Sequence, residues 1–212
     1  ERNIKARFVR GGSTQYLVDM LEEGLTDYIL DGQTFDLEGV RSMRENPGHV
    51  NTSPFSSYNW HGKGNFASQL DVVVLGATEV DVNFNANVVT HSDGRLLHGT
   101  GGWQNCLFSK CTILPIPSFR DRIPVLVDKV TTLCGPGELI DVIVTERGIA
   151  ITPQRRDLLE AVKGSSLPIR PIEEIKAEVE ELCGGAAAKP EVGEKVVAAI
   201  QWVDGTVIDC VK

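Results

Sequence analysis

The sequence predicts an α/β fold: an open, mainly parallel sheet with flanking helices, followed by a C-terminal β-hairpin. Three observations carry this expectation. Val72–Leu75 is an unbroken apolar run stopped by Gly76, the pattern of a strand covered on both faces. Strand-like segments are followed by amphipathic helical ones, the order that lays helices over a parallel sheet. Val196–Val203 and Thr206–Val211 flank Asp204-Gly205, a two-residue hairpin signal. Residues 1–185 are expected to form one α/β domain, and residues 186–212 a linker and a hairpin packed on it.

Taken in order, Ser13–Glu23 reads as a helix capped by Ser13 or Thr14, with Leu17, Met20 and Leu21 on one face and Gly24 at its end. A strand is expected over Thr26–Leu30. The segment Asp31–Asn65 is rich in Gly, Pro, Asn and Ser, with one short helix near Leu37–Met43. Along Val80–Val89, Val82, Phe84 and Ala86 alternate with Asp81, Asn83, Asn85 and Asn87, which predicts a strand with one wet face. Cys111–Ile116, Val125–Val130 and Ile140–Ile151 are candidate buried strands. Thr152 and Pro153 mark the start of a helix that turns Leu158, Leu159 and Val162 inward and stops at Gly164. A second helix spans Pro171–Cys183 with Ile172, Ile175, Val179 and Leu182 at helical spacing, closed by Gly184–Gly185.

Bulk composition narrows the function. The 212 residues include 29 acidic and 21 basic side chains, a net charge of -8, which excludes a non-specific binder of nucleic acid or anionic membranes. No apolar run reaches the roughly 20 residues that span a bilayer. The segment ERNIKARFVRGGSTQY is polar where a secretory signal is apolar, so a cytoplasmic location is expected. The five cysteines contain no C-x-x-C pair and fit neither a disulfide framework nor a zinc site. They are expected to be reduced, mostly buried, and to behave as small hydrophobes. No metal is expected.

Three segments hold residue types suited to chemistry. In Leu97–Asn105, Gly99, Gly101 and Gly102 follow a strand-like stretch. Such a turn either simply reverses the chain or presents consecutive N–H groups as an oxyanion nest. Asn83, Asn85 and Asn87 form either a solvated face or a set of amides suited to a carboxylate or a pantetheine amide. Glu146-Arg147 ends an apolar strand, where open α/β sheets place ligands, and reads either as a structural ion pair or as a grip on a substrate carboxylate. Of His49, His61, His91 and His98, only His98 stands beside the glycine turn.

Together these segments resemble a known family. VVVLGATEVDVNFNANV, then GTGG, then VTTLCGPGELIDVIVTERGIAI resemble the second half of CoA-transferases. RGGSTQYLVDMLEEGL, FDLEGVRSMRENP, RIPVLVDKVTT, DVIVTERGIAITPQRRDLL and the closing VDGTVIDCVK resemble the citrate lyase alpha chain, over Gly11 to Lys212. The resemblance implies the C-terminal half of a NagB/RpiA/CoA-transferase-like protein that turns acetyl-acyl-carrier plus citrate into citryl-acyl-carrier plus acetate. It implies as cofactor a CoA-like thioester group, phosphoribosyl-dephospho-CoA on an acyl carrier protein or CoA itself. The partners it implies are the N-terminal half of the alpha chain, the beta (lyase) subunit and the gamma (acyl carrier) subunit, with citrate and acetate as substrate and product.

Under that resemblance Gly101, Gly102 and Trp103 supply backbone oxyanion donors, and Gly99, Asn85 and Asn87 help to hold the cofactor. Glu146 and Arg147 meet the citrate, with Arg147 bidentate on a carboxylate. The reaction implied passes through a mixed anhydride of the two acids. Asp36 is the carboxylate nearest to where other CoA-transferases carry a nucleophilic glutamate. The chain departs from the family after GTGG. Where the family has a His, a small or polar residue, an Asp, a Thr and an Ala/Gly-rich helix start, it reads Trp103-Gln104-Asn105-Cys106-Leu107-Phe108-Ser109. That departure is the ground for one alternative, a non-catalytic interaction domain that keeps the fold; a second alternative is an acyl-CoA hydrolase that uses the same oxyanion nest.

Overall fold

A computed structural model describes residues 4–58 and 66–212, so His61 and the end of the loop-rich segment, 59–65, lie outside the described residues. The chain divides into two compact units, Glu1–Phe66 and Ala67–Lys212.

The first unit is a three-stranded parallel sheet of β1 (Val9–Ser13), β2 (Ile29–Thr34) and β3 (His49–Asn51), in that order. Helix α1 (Gln15–Glu22) joins the first two strands, α2 (Leu37–Glu45) joins the second pair, and α3 (Pro54–Tyr58) follows. The buried residue of α1 is Val18, while Leu17, Met20 and Leu21, expected on its inner face, are half-buried. Strand β2 begins at Ile29, which is fully buried, and runs to Thr34, later than the strand expected over Thr26–Leu30. The cap of α1 differs from expectation. Thr14 is the N-cap but makes no side-chain cap bond, and the Gln15 amide donates to Asp36 Oδ2 at 2.7 Å. A buried polar chain also runs through this unit: His49 Nε2 lies 3.2 Å from Asp31 Oδ2, and its Nδ1 lies 3.0 Å from the Ser42 hydroxyl. His49 is thus a fully enclosed strand residue.

The second unit contains several small sheets instead of the single open sheet expected. Its largest has the order β12-β11-β7-β4, built from β4 (Val73–Val74), β7 (Thr112–Pro115), β11 (Val142–Thr145) and β12 (Gly148–Ile151). The first three of these in chain order pair in parallel, and β12 runs antiparallel at the edge. A second sheet sets β5 (Glu79–Asp81) between an antiparallel β6 (Ala86–Asn87) and a parallel β10 (Leu126–Val127). A short hairpin joins β8 (Phe119–Arg120) to β9 (Ile123–Pro124). Helices α4 (Trp103–Cys106), α5 (Arg156–Ala161) and α6 (Ile172–Cys183) complete the unit, with a closing hairpin of β13 (Ala198–Gln201) and β14 (Val207–Val211). Leu114, Leu126, Ile140, Ile143, Ile175 and Val179 lie in one core cluster, which lets α6 bury its apolar stripe.

Several expectations are corrected here. Ile140–Ile151 is a strand pair, because Thr145-Glu146-Arg147-Gly148 reverses the chain and Gly148 takes a φ of 153°. Val80–Val89 is also two strands: Phe84, with a φ of 66°, turns the chain between β5 and β6. Its asparagines form no wet row, since Asn87 is fully buried. The run Val72–Leu75 is not covered on both faces; β4 is an edge strand, with Val72 50% and Val74 63% exposed. Helix α5 starts at Arg156, and Thr152 sits in a turn accepting the Arg155 amide at 3.0 Å. Helix α6 ends as expected, with Gly184 left-handed at a φ of 87°, while Leu182 faces outward. The closing hairpin turns through Val203, Asp204 and Gly205, one residue more than expected, with Gly205 at a φ of 91°.

All five cysteines are free. Burial pushes the Cys134 and Cys111 thiols above their usual value, which keeps them in the unreactive protonated form. Among the described residues no group of side chains is placed to hold a metal ion, and no helix is long and apolar enough to cross a membrane.

Candidate functional site

The site is built from glycine segments in the second unit that meet on one tryptophan. Leu75-Gly76 leaves the carboxyl end of β4, the end at which open α/β sheets place ligands. The Trp103 indole N–H donates to the Gly76 carbonyl at 2.9 Å. The Trp103 ring lies against Gly135, so closely that a Cβ there would stand 2.5 Å from it. Gly137 is held in turn by the β5–β6 turn: its amide donates to Asn85 Oδ1 at 2.9 Å, and Asn85 Nδ2 donates to Asp81 Oδ2 at 3.0 Å.

Trp103 opens α4, and the glycine turn immediately precedes it. Gly101 takes a left-handed φ of 55°, and the Trp103 amide donates to the Thr100 carbonyl at 3.1 Å. The Trp103 N–H, expected as a third oxyanion donor, therefore closes the turn. The Gly101 and Gly102 amides donate to no group among the described residues. Nothing among those residues lies within 4 Å of a Cβ built on Gly99 or Gly101, so the main chain is open on that side. Phe108 does not plug the turn. Its ring packs on Trp202, with centroids 5.8 Å apart. His98 is exposed beside the turn, its Nδ1 2.8 Å from the Gly99 carbonyl. The loss of the indole bond in Trp103→Phe is expected to lower stability by about 1 kcal/mol, read from denaturant unfolding.

The other expected site residues are engaged elsewhere. Asn87 spends both ends of its amide internally: Nδ2 on Glu79 Oε2 (2.8 Å) and the Thr90 hydroxyl (2.9 Å), Oδ1 on the Val89 and Thr90 amides. It links β6 to β5 and fixes the turn that follows β6. Glu146 accepts from the Ser118 amide at 3.1 Å and from the Ser118 hydroxyl. Burial works to raise its carboxyl, but these bonds and Arg147 outweigh that and hold it below the usual carboxylate value. Arg147 pairs with Glu178 of α6 at 3.2 Å and lies over the Phe119 ring. Glu146 and Arg147 thus tie the β11–β12 turn to its neighbours, Arg147 through its Nη1.

In the first unit, Asp36 caps two helices. Its oxygens accept from Gly39, within α2, and from Gln15, at the start of α1. The Gly39 amide, then the Gln15 amide, hold its carboxyl below the usual value of 3.8. A group depressed in the folded state stabilises above its unfolded pKa and loses that contribution as pH falls through the folded one. Asp36→Asn is therefore expected to lower the melting temperature at neutral pH, with the gap to wild type closing as pH falls below 3.8. Thermal unfolding at several pH values checks this.

Two buried carboxylates escaped the sequence reading. Glu79 accepts from the Thr131 amide (2.8 Å) and hydroxyl (3.0 Å), and Asp81 accepts from the Asn83 and Asn85 amides. Their only signal was that each stands next to Val80, in a segment where apolar and polar residues alternate.

These features define a mixed α/β protein with an open glycine turn near the carboxyl edge of its parallel strands. The family model for the citrate lyase alpha subunit matches residues 1–212, and the chain belongs to that family. It is 40% identical over 99% of its length to the citrate lyase alpha chain of Escherichia coli and 39% identical, again over 99%, to that of Klebsiella pneumoniae. It spans 41% of the length of each. The crystal structure of the putative citrate lyase alpha subunit from Streptococcus mutans, in complex with citrate, superposes with a TM-score of 0.94 at 42% identity, over 99% of this chain and 41% of that one. A RipA mutant structure shares the fold alone, with a TM-score of 0.56 at 14% identity over 83% of this chain and 43% of that one.

Proposed function

We propose that this chain contributes the glycine-turn half of a citrate CoA-transferase, moving the acyl-carrier thioester from acetate to citrate within a citrate lyase complex. The observation that supports this reading is that the Gly101 and Gly102 amides donate to no group among the described residues, with open space beside Gly101. When a citrate carboxylate adds to a thioester carbonyl, negative charge gathers on the carbonyl oxygen. Fixed N–H donors aimed at that oxygen lower the barrier, each by about 3 kcal/mol in comparable oxyanion holes. The donor set fits a carbonyl oxygen: two adjacent amides that meet no acceptor among the described residues, with Trp103 holding the turn against Gly76 and Gly135. The CoA-like group supplies the thioester itself. In this reading Asn85 and Asn87 act from behind, fixing the segments around Gly135 and Gly137, and Asp36 serves the first unit as a cap. The N-terminal half of the alpha chain, the lyase subunit and the carrier subunit complete the assembly.

The test is reconstitution. This chain is mixed with the remainder of an alpha chain and an acetylated carrier, and citrate-dependent release of acetate is measured. Exchange requiring both pieces and citrate is expected. A folded, associated pair that releases no acetate overturns the proposal in favour of a non-catalytic domain, and acetate release without citrate overturns it in favour of a hydrolase.

A further inference from the structure

Helix α4, Trp103–Cys106, is a single turn, too short to hold its own direction, so contacts outside it set where it points. That direction matters because the glycine turn runs straight into it. Gly102 is the N-cap, and its carbonyl accepts the Cys106 amide at 3.4 Å. A rotation of α4 therefore carries the Gly101 and Gly102 amides with it. Two side chains at the start of the helix act as tethers, and they run to different segments. Trp103, half-buried, reaches the Gly76 carbonyl. Gln104 is 4% exposed, and its Nε2 donates to the Cys134 carbonyl at 3.0 Å.

The far end of the Gln104 bond is fixed. Cys134 is fully buried, and the Cys134 and Gly135 amides both donate to the Ala86 carbonyl of β6, at 2.9 and 3.0 Å. The Gln104 amide thus joins α4 to a buried strand away from water, where losing the donor would cost the Cys134 carbonyl its side-chain partner. The indole bond and the packing on Gly135 both pass through one side chain, Trp103. Gln104 supplies a second attachment, and two attachments fix a direction that one leaves free to turn. We infer that Gln104 is a positioning residue for the acyl site, acting through α4 to set the aim of the Gly101 and Gly102 amides. Its consequence for catalysis rests on the transferase reading; its hold on the amides rests on the contacts alone.

Gln104→Met and Gln104→Glu separate these two parts, since both keep the length of the side chain and remove the N–H donor. In the isotope-labelled chain, Gln104→Met should shift the Gly101 and Gly102 amide NMR resonances while the spectrum stays dispersed. In the reconstituted exchange assay it should lower kcat about 10- to 100-fold, the cost of misplaced donors, with KM for citrate within about 2-fold of wild type. Gln104→Glu adds a pH signature. Its buried carboxyl can donate to the Cys134 carbonyl only when protonated, so kcat relative to wild type should recover as pH falls. A pH-independent loss in Gln104→Glu, or an unchanged kcat in Gln104→Met, overturns the positioning role in catalysis. Unmoved Gly101 and Gly102 resonances in Gln104→Met overturn the inference altogether. An inactive wild-type assembly sinks the transferase reading instead, and the resonances alone then decide whether Gln104 aims the turn.

Discussion

Replacing Gly101 with valine is expected to cut citrate-dependent exchange by about 100-fold, the loss seen when one oxyanion donor is removed. The cause is conformational and not steric. Nothing among the described residues lies within 4 Å of the added Cβ, but the φ of 55° is one that a β-branched residue adopts only at a cost of about 1–2 kcal/mol. The turn would relax toward negative φ and swing the Gly101 and Gly102 amides off the reacting oxygen. Gly99→Ala is the matched control, because the same openness surrounds a residue without left-handed backbone. Steady-state kinetics on the reconstituted enzyme should show a fall in kcat for Gly101→Val and near wild-type values for Gly99→Ala. Equal rates for all three proteins would remove the turn from the chemistry.

Replacing Gly137 with alanine is expected to destabilise the second unit by about 3 kcal/mol, at the upper end of the usual cost of overpacking. Here the obstacle is backbone. The new Cβ would stand 1.9 Å from the Asn83 carbonyl oxygen and 2.9 Å from the Asn85 nitrogen, so the β5–β6 turn must move. That movement breaks the bond from the Gly137 amide to Asn85 and disturbs the seat of Trp103 beside Gly135. Denaturant unfolding measures the loss. A stability within about 0.5 kcal/mol of wild type would show that the turn yields freely and that Asn85 does not brace it.

The parts of the fold that sequence disclosed are those whose local chemistry agrees with their packing. Helix α6 lies between Pro171 and Gly184, its buried positions Ile172, Ile175 and Val179 spaced as the pattern requires. The closing hairpin carries its turn residues, and α2 begins after a capping Asp36. The failures share a physical origin in tertiary context. Phe84 turns the chain at a positive φ, a conformation rarely taken by a bulky residue, so the alternation around it read as one continuous strand. Val72 and Val74 share the exposed face of β4 while Val73 between them is buried, a difference between faces that an apolar run cannot reveal. The carboxylates at Glu79 and Asp81 looked like surface charges. Their burial depends on donors from Thr131, Asn87 and Asn85, some of them distant in the chain. At the candidate site the glycines were legible and their context was not. Sequence named Trp103 for its amide, whereas the indole forms the structural link.

The Phe108–Trp202 ring contact bears on how this region can be engineered. Phe108 follows the glycine turn and α4 and rests on the closing hairpin, which also reaches inward through Asp209 to accept the Leu133 amide at 2.7 Å. Replacing Phe108 with a small residue would strip the cover from the Trp202 indole on the closing hairpin. Loop and hairpin are therefore a matched cassette, to be transplanted together or left in place.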